Sequence, residues 1–198
     1  YLGFDLMHAD GERAGDLASS TDNPLLLYVG NRGGYKNFLG LLEAYASSPQ
    51  LRTGYRVICF GGGALNMDEQ KAIQKLGLDS SQVLQLGGSD QLLASLYGHA
   101  SAFIYPSLYE GFGIPPLEAM SYDCPVVCSQ TSSIPEVVGD AGEYFDPADI
   151  ESMRAAIERV VTSDSHRKLL IAKGRARLEY FSWDRCAAET LDIYMKLA

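Results

Sequence analysis

A chain of 198 residues has room for one sizeable core or two small domains. Its 46% hydrophobic and 21% charged residues suit a globular protein, and no apolar run reaches the roughly 18 residues of a membrane span. Twenty-five acidic residues against 16 basic ones give a net charge of −9, which argues against nucleic acid or anionic lipid as a partner.

Residues 1–24 carry little periodicity, and the stretch 10–23, rich in Gly, Ala, Ser and Asp, reads as a linker. Leu25-Leu26-Leu27-Tyr28-Val29 is a continuous apolar run, suited to a parallel strand covered on both faces. A Gly-rich turn, Gly30-Asn31-Arg32-Gly33-Gly34-Tyr35-Lys36, leads into a helix over 37–47 with Phe38, Leu41, Leu42 and Tyr45 at helical spacing. The unit then repeats. Strands are predicted at 56–60, 83–86, 102–105 and 125–128, with a short last one at 142–145. Helices are predicted at 68–76, 90–99 and 134–138, and only helices beyond 148: 149–162, 165–178 and 183–197. Strands alternating with helices predict an α/β fold, a Rossmann-like open parallel sheet with helices on both faces, followed by a helical C-terminal extension. In such sheets ligands bind at the carboxyl ends of the strands, and the Gly-rich turns after Val29, Phe60, Leu86 and Tyr105 all fall on that edge.

The stretch Glu110-Gly111-Phe112-Gly113-Ile114-Pro115-Pro116-Leu117-Glu118 concentrates the chemistry. Two prolines mark the first turn of a helix, where amides have no intrahelical partner and the helix dipole favours an anion. Gly111 and Gly113 let a ligand approach the backbone without a Cβ in the way. Glu110 and Glu118 flank this cradle; carboxylates beside a phosphate site suit hydrogen bonds from hydroxyls. Phosphate in the middle and hydroxyls at both ends describe a nucleotide sugar. Of the four cysteines, Cys59, Cys124, Cys128 and Cys186, three fall in apolar runs and none forms a CxxC pair, so free thiols in a reducing, cytoplasmic compartment are expected.

The E-x7-E pattern of Glu110 and Glu118 resembles that of the group 1 (GT4) family of retaining glycosyltransferases, which have the GT-B fold. Val29-Gly30, Arg32 and Lys36-Asn37 resemble that family's basic phosphate loop, and Leu86-Gly87 with a helix ending at Tyr97 resembles its base-binding segment. Ser132-Ser133-Ile134-Pro135-Glu136-Val137-Val138-Gly139 and Phe181-Ser182-Trp183 match as well. The resemblance covers about residues 25–197. It implies that 25–198 form the donor-binding C-terminal half of a GT-B enzyme, that 1–24 end an interdomain linker, and that an N-terminal acceptor domain is missing.

The resemblance also implies roles. Glu118 faces the nucleotide ribose, Glu110 the transferred sugar, and Lys36 and Arg32 the diphosphate. Gly30, Asn31, Leu86, Gly87 and the amides of Gly111, Phe112, Gly113 and Leu117 complete donor binding. The family's arginine directly follows the glycine; here Asn31 holds that place and Arg32 is expected to take over. No Asp-x-Asp motif occurs, so no cofactor or metal is expected, and the basic loop and helix N-terminus carry the leaving group's charge. The donor expected is of the GDP-mannose or UDP-glucose type, with GDP-mannose favoured. The acceptor, a saccharide or lipid-linked saccharide, would be bound by the missing domain; any peripheral membrane attachment would be encoded there too. Three alternatives stay open: a nucleotide-sugar 2-epimerase of GT-B fold, a non-enzymatic nucleotide-sugar-binding domain and, because of the paired glutamates, a glycosidase.

Overall fold

A computed structural model of the chain describes residues 24–197. The linker expected at 1–24 thus lies, but for Pro24, outside the described residues. Six parallel strands form one sheet in the order β3-β2-β1-β4-β5-β6. They are β1 Leu25–Val29, β2 Arg56–Phe60, β3 Val83–Leu86, β4 Ala100–Tyr105, β5 Val126–Ser129 and β6 Gly142–Phe145. The helices are α1 Phe38–Ser47, α2 Pro49–Gly54, α3 Met67–Lys75, α4 Asp90–His99, α5 Ile114–Ser121, α6 Ile134–Val138, α7 Ile150–Val161, α8 Asp164–Leu178 and α9 Trp183–Leu197. The Rossmann-like class expected from sequence is the one observed.

Strand alternation builds two cores. Leu26, Tyr28, Val57, Cys59, Ala102, Ile104 and Val127 face one side and pack with Phe38, Leu41, Leu42 and Tyr45 of α1 and Met153, Ile157 and Val160 of α7. Leu25, Leu27, Ile58, Phe103, Tyr105, Val126 and Cys128 face the other, against Leu96 and Tyr97 of α4, Leu117 and Met120 of α5 and Val137 of α6. The central strand β1 is thus apolar throughout because both of its faces are covered. Cys59, Cys124 and Cys128 are buried free thiols and Cys186 is an exposed one.

Some boundaries differ from expectation for local reasons. The short α2 was not predicted; Ser48 caps it by accepting from the amide of Leu51 at 3.1 Å, and Pro49 opens it. β5 begins at Val126 because Pro125 has no amide, although its carbonyl accepts from Phe103 at 2.8 Å. The C-terminal helix α9 buries none of its side chains in this fold.

Candidate functional site

The strand order places β1 beside β4, and the chain leaves these neighbours toward opposite halves of the sheet. That is the switch point, where two adjacent loops diverge and leave a crevice. The loop after β1 (30–37) meets the loop after β4 (106–113) directly: the amide of Leu108 donates to the carbonyl of Tyr35 at 2.7 Å. Lys36 ends a single 3-10 turn, Gly34–Lys36, and its Nζ donates to Oε1 of Glu110 at 2.7 Å. The ammonium also stands 5.2 Å from the ring centroid of Tyr35 and 5.6 Å from that of Tyr105. An ammonium has three donors, so the bond to Glu110 leaves two.

Burial alone would raise the pKa of Glu110. Lys36, Ser107 and Tyr105 outweigh it and hold the carboxyl below its usual range, so the group is a carboxylate at neutral pH. Ser107, fully buried beside it, is one of the groups that keep this carboxylate ionised. The Glu110 backbone is gripped from the loop after β5. Ser132 Oγ donates to the Glu110 carbonyl at 2.6 Å and accepts from its amide at 3.3 Å. Ser133 Oγ stands 2.9 Å from the same carbonyl and 3.2 Å from that of Phe112.

Glu118 sits in a different environment. It is the fifth residue of α5, beyond the first turn, so dipole stabilisation of the helix start does not account for it. Its Oε2 accepts from the hydroxyl of Tyr97 at 3.2 Å. Burial pushes its pKa up, Tyr97 opposes that and Asp90 adds to it; the net shift is upward. Two glutamates eight residues apart are thus tuned in opposite directions, one by a cation and one by desolvation.

The start of α5 has no side-chain cap, and Gly113 there adopts φ 93°, open to glycine. Pro115 and Pro116 lack amides, so Gly113 and Ile114 supply the unpartnered ones. Leu117 was expected to offer its N–H. It is the fourth helical residue, and its side chain is fully buried in the core. Gly111 and Phe112 are exposed, and the Phe112 ring lies edge-on to Phe181, centroids 5.9 Å apart.

Arg32 is the clearest departure from expectation. It is only 7% exposed. Its Nε donates to Glu69 at 3.0 Å, Nη1 to the carbonyl of Gly61 at 2.6 Å, and Nη2 to those of Gly62, Gly63 and Ala64 at 3.2, 2.8 and 3.0 Å. Three successive glycines with φ of 88°, 68° and 71° curl the loop after β2 so that its carbonyls converge on the guanidinium. Arg32 therefore braces this loop and is not presented to a phosphate. Gly30 donates to the carbonyl of Phe60 at 2.9 Å, and Asn31 is exposed with its carbonyl bonded by Tyr28 at 2.5 Å. Leu86 and Gly87 lie two strands from β1; the Leu86 carbonyl is taken by the amide of Gly61 at 2.9 Å, and Gly87 is exposed.

Sequence reasoning paired neither Lys36 with Glu110 nor Tyr97 with Glu118, and it gave Ser107, Ser132 and Ser133 no role. The serines at 132–133 did lie in a recognised motif, which was the only signal for them. Among the described residues no group of three or more His, Cys, Asp or Glu side chains is placed to hold a metal ion.

The sheet is Rossmann-like, with a Lys–Glu pair across its switch point and a second glutamate inside the helix that follows β4. The family model of the group 1 glycosyl transferases matches residues 12–177, and the chain belongs to that family. It is 41% identical over 173 residues to O-antigen chain mannosyltransferase B of Escherichia coli, covering 86% of this chain and 45% of that protein. It is 38% identical over 135 residues to the MMP α-(1→4)-mannosyltransferase of Mycolicibacterium hassiacum, covering 66% and 33%. The chain thus spans less than half the length of these curated relatives. Among solved structures, sucrose-phosphate synthase from Thermosynechococcus elongatus matches with a TM-score of 0.77 at 26% identity over 93% of this chain and 48% of that one. A glycosyltransferase from Rickettsia africae matches with a TM-score of 0.80 at 19% identity over 98% and 54%, a likeness of fold.

Proposed function

We propose that the complete protein carrying this chain transfers a hexosyl group, mannose before glucose, from a nucleoside diphosphate sugar to an acceptor hydroxyl in polysaccharide synthesis. The observation that carries the reading is the Lys36–Glu110 pair across the switch point, in a group 1 chain whose relatives are named mannosyltransferases. Residues 25–198 act as the donor-binding unit, residues 1–24 as linker, and the acceptor domain belongs to the rest of the protein. The acceptor is a saccharide, free or lipid-linked.

In this reading the bond from the anomeric carbon to the diphosphate oxygen breaks, the acceptor oxygen bonds to the same face, and its proton passes to the departing diphosphate oxygen, so configuration is retained. The departing diphosphate gains charge as it leaves. The two unused donors of Lys36 and the amides of Gly113 and Ile114 meet that charge, with no metal required. Glu110, held ionised by Lys36, accepts from hydroxyls of the transferred sugar, with the exposed backbone of Gly111 and Phe112 beside it. Glu118, steadied by Tyr97, accepts from the ribose. Asn31, Gly30, Leu86 and Gly87 line the same edge and leave it open to the nucleotide. Arg32 serves through the loop it braces.

Calorimetric titration of the chain with GDP, UDP and ADP, each with and without a chelator, tests site, base and metal independence together. Saturable binding of GDP, unchanged by chelator, is expected. No saturable binding of any of the three sinks the reading. For the complete protein, mannose from GDP-mannose is expected on an acceptor saccharide and not as an epimerised donor.

Among the described residues no helix is long and apolar enough to cross a membrane.

A further inference from the structure

We infer that Ser132 and Ser133 are positioning residues that fix the peptide of Glu110 and so aim its carboxylate, an inference that rests on the role proposed for Glu110 above. Three observations carry it. First, the contacts converge on one residue. Both hydroxyls reach the Glu110 carbonyl, at 2.6 and 2.9 Å, which fills both lone pairs of that oxygen. The Glu110 amide is taken at 3.3 Å by the same Ser132 oxygen. Donor and acceptor of a single loop residue are thus answered by side chains 22 and 23 positions away, where water would serve an ordinary exposed loop.

Second, the position has a conformational cost that the serine does not relieve. Ser132 adopts φ 54°, left-handed backbone that glycine occupies freely and that strains a residue with a Cβ. Its side chain is exposed, so packing does not demand it. What glycine would lack is the hydroxyl, and that hydroxyl bonds Glu110.

Third, the brace closes a circuit around the crevice. The loop after β5 holds the Glu110 backbone through the serines, and the Glu110 side chain holds Lys36 on the loop after β1. The peptide of Leu108 and Tyr35 joins the same two loops a second time. With its backbone fixed at one end and its carboxylate at the other, Glu110 has little freedom. Glu118, on α5 and bonded to Tyr97, lies outside the circuit. Loosening the serines should therefore misplace the group facing the sugar, while Glu118 keeps its position and Lys36 stays on a loop still joined by the bond from Leu108 to Tyr35.

The test uses the complete protein with Ser132→Gly, Ser133→Ala and Ser133→Thr, and compares three readouts: thermal midpoint, affinity for GDP, and the rate of GDP release from GDP-mannose. For Ser132→Gly, relief of strain should leave the midpoint at or above that of the unsubstituted protein, and GDP affinity within about twofold, while the rate falls about 10- to 100-fold, the range for a reacting group displaced by an ångström. Ser133→Ala should lower the rate in the same way, and Ser133→Thr, which keeps the hydroxyl, should recover most of it. If the rate is unchanged in Ser132→Gly and in Ser133→Ala, the serine role is wrong while the proposed function stands. If rate and midpoint fall together in both, the serines merely hold the fold and the inference is again overturned. An unsubstituted protein that binds no GDP and releases none from GDP-mannose overturns the functional reading itself.

Discussion

Lys36 and Glu110, 74 residues apart in the chain, meet at 2.7 Å across the gap between β1 and β4. The lysine side chain is 19% exposed and the glutamate 10%, so the pair is shielded from water on most sides. A pair so placed holds two diverging loops together and keeps a cation at the mouth of the crevice.

Replacing Lys36 by alanine in the complete protein should lower turnover roughly 100-fold, since one preorganised donor to a developing oxyanion is typically worth about 2.7–4 kcal/mol. The steady-state rate of GDP release checks this; a loss of only a few-fold would remove Lys36 from the chemistry.

The same substitution should alter the response to acid. With its pKa depressed in the fold, Glu110 contributes stability that is complete above the unfolded carboxylate pKa and is lost as pH falls through the lower folded value. In Lys36→Met burial of the carboxyl loses its main opponent, and the depression shrinks or reverses. Urea midpoints of the two proteins measured from pH 3 to 7 should therefore converge toward the acid end.

Glu118 carries the opposite sign. Its raised folded pKa means that its contribution is favourable below the unfolded value and is lost as pH rises through the folded one. Glu118→Gln, neutral at all pH, should then raise the melting temperature at pH 7 and have little effect at pH 4. The same change should weaken GDP binding about 10-fold or more, the value of a hydrogen bond to a charged acceptor. Calorimetry at both pH values reads both effects. A melting temperature lowered at pH 7 would mean that the carboxylate is a structural asset.

Arg32→Met should act on stability, because it strands Glu69 in a buried site. Breaking one side of a buried pair costs about 3–5 kcal/mol, whereas replacing both partners by apolar groups is often near neutral. Arg32→Met alone should thus be markedly less stable in denaturant than Arg32→Met with Glu69→Leu, even though the double variant also loses the capping contact from Glu69 to the Asn66 amide at 2.8 Å. Equal loss in both would assign the stability to the carbonyl contacts alone.

Much of this protein is legible in its chain. Runs such as Leu25-Leu26-Leu27-Tyr28-Val29 are apolar at every position because both faces of the strand are covered, and that pattern is local. The glycines in the loops after β1, β2, β3 and β4, the prolines opening α5 and the glutamates at 110 and 118 likewise mark their places through local backbone and charge requirements. Only the tertiary structure decided which partner each charged group takes. Arg32 lies in a Gly-rich basic loop and reads as a phosphate ligand until the curl of Gly61, Gly62 and Gly63 brings four carbonyls and Glu69 around it. Lys36 finds Glu110, and Glu110 finds Ser132 and Ser133, only once β1, β4 and β5 lie side by side. Periodicity and propensity act over a few residues, while the partners of a charge are set by strand order, and strand order is a property of the whole sheet.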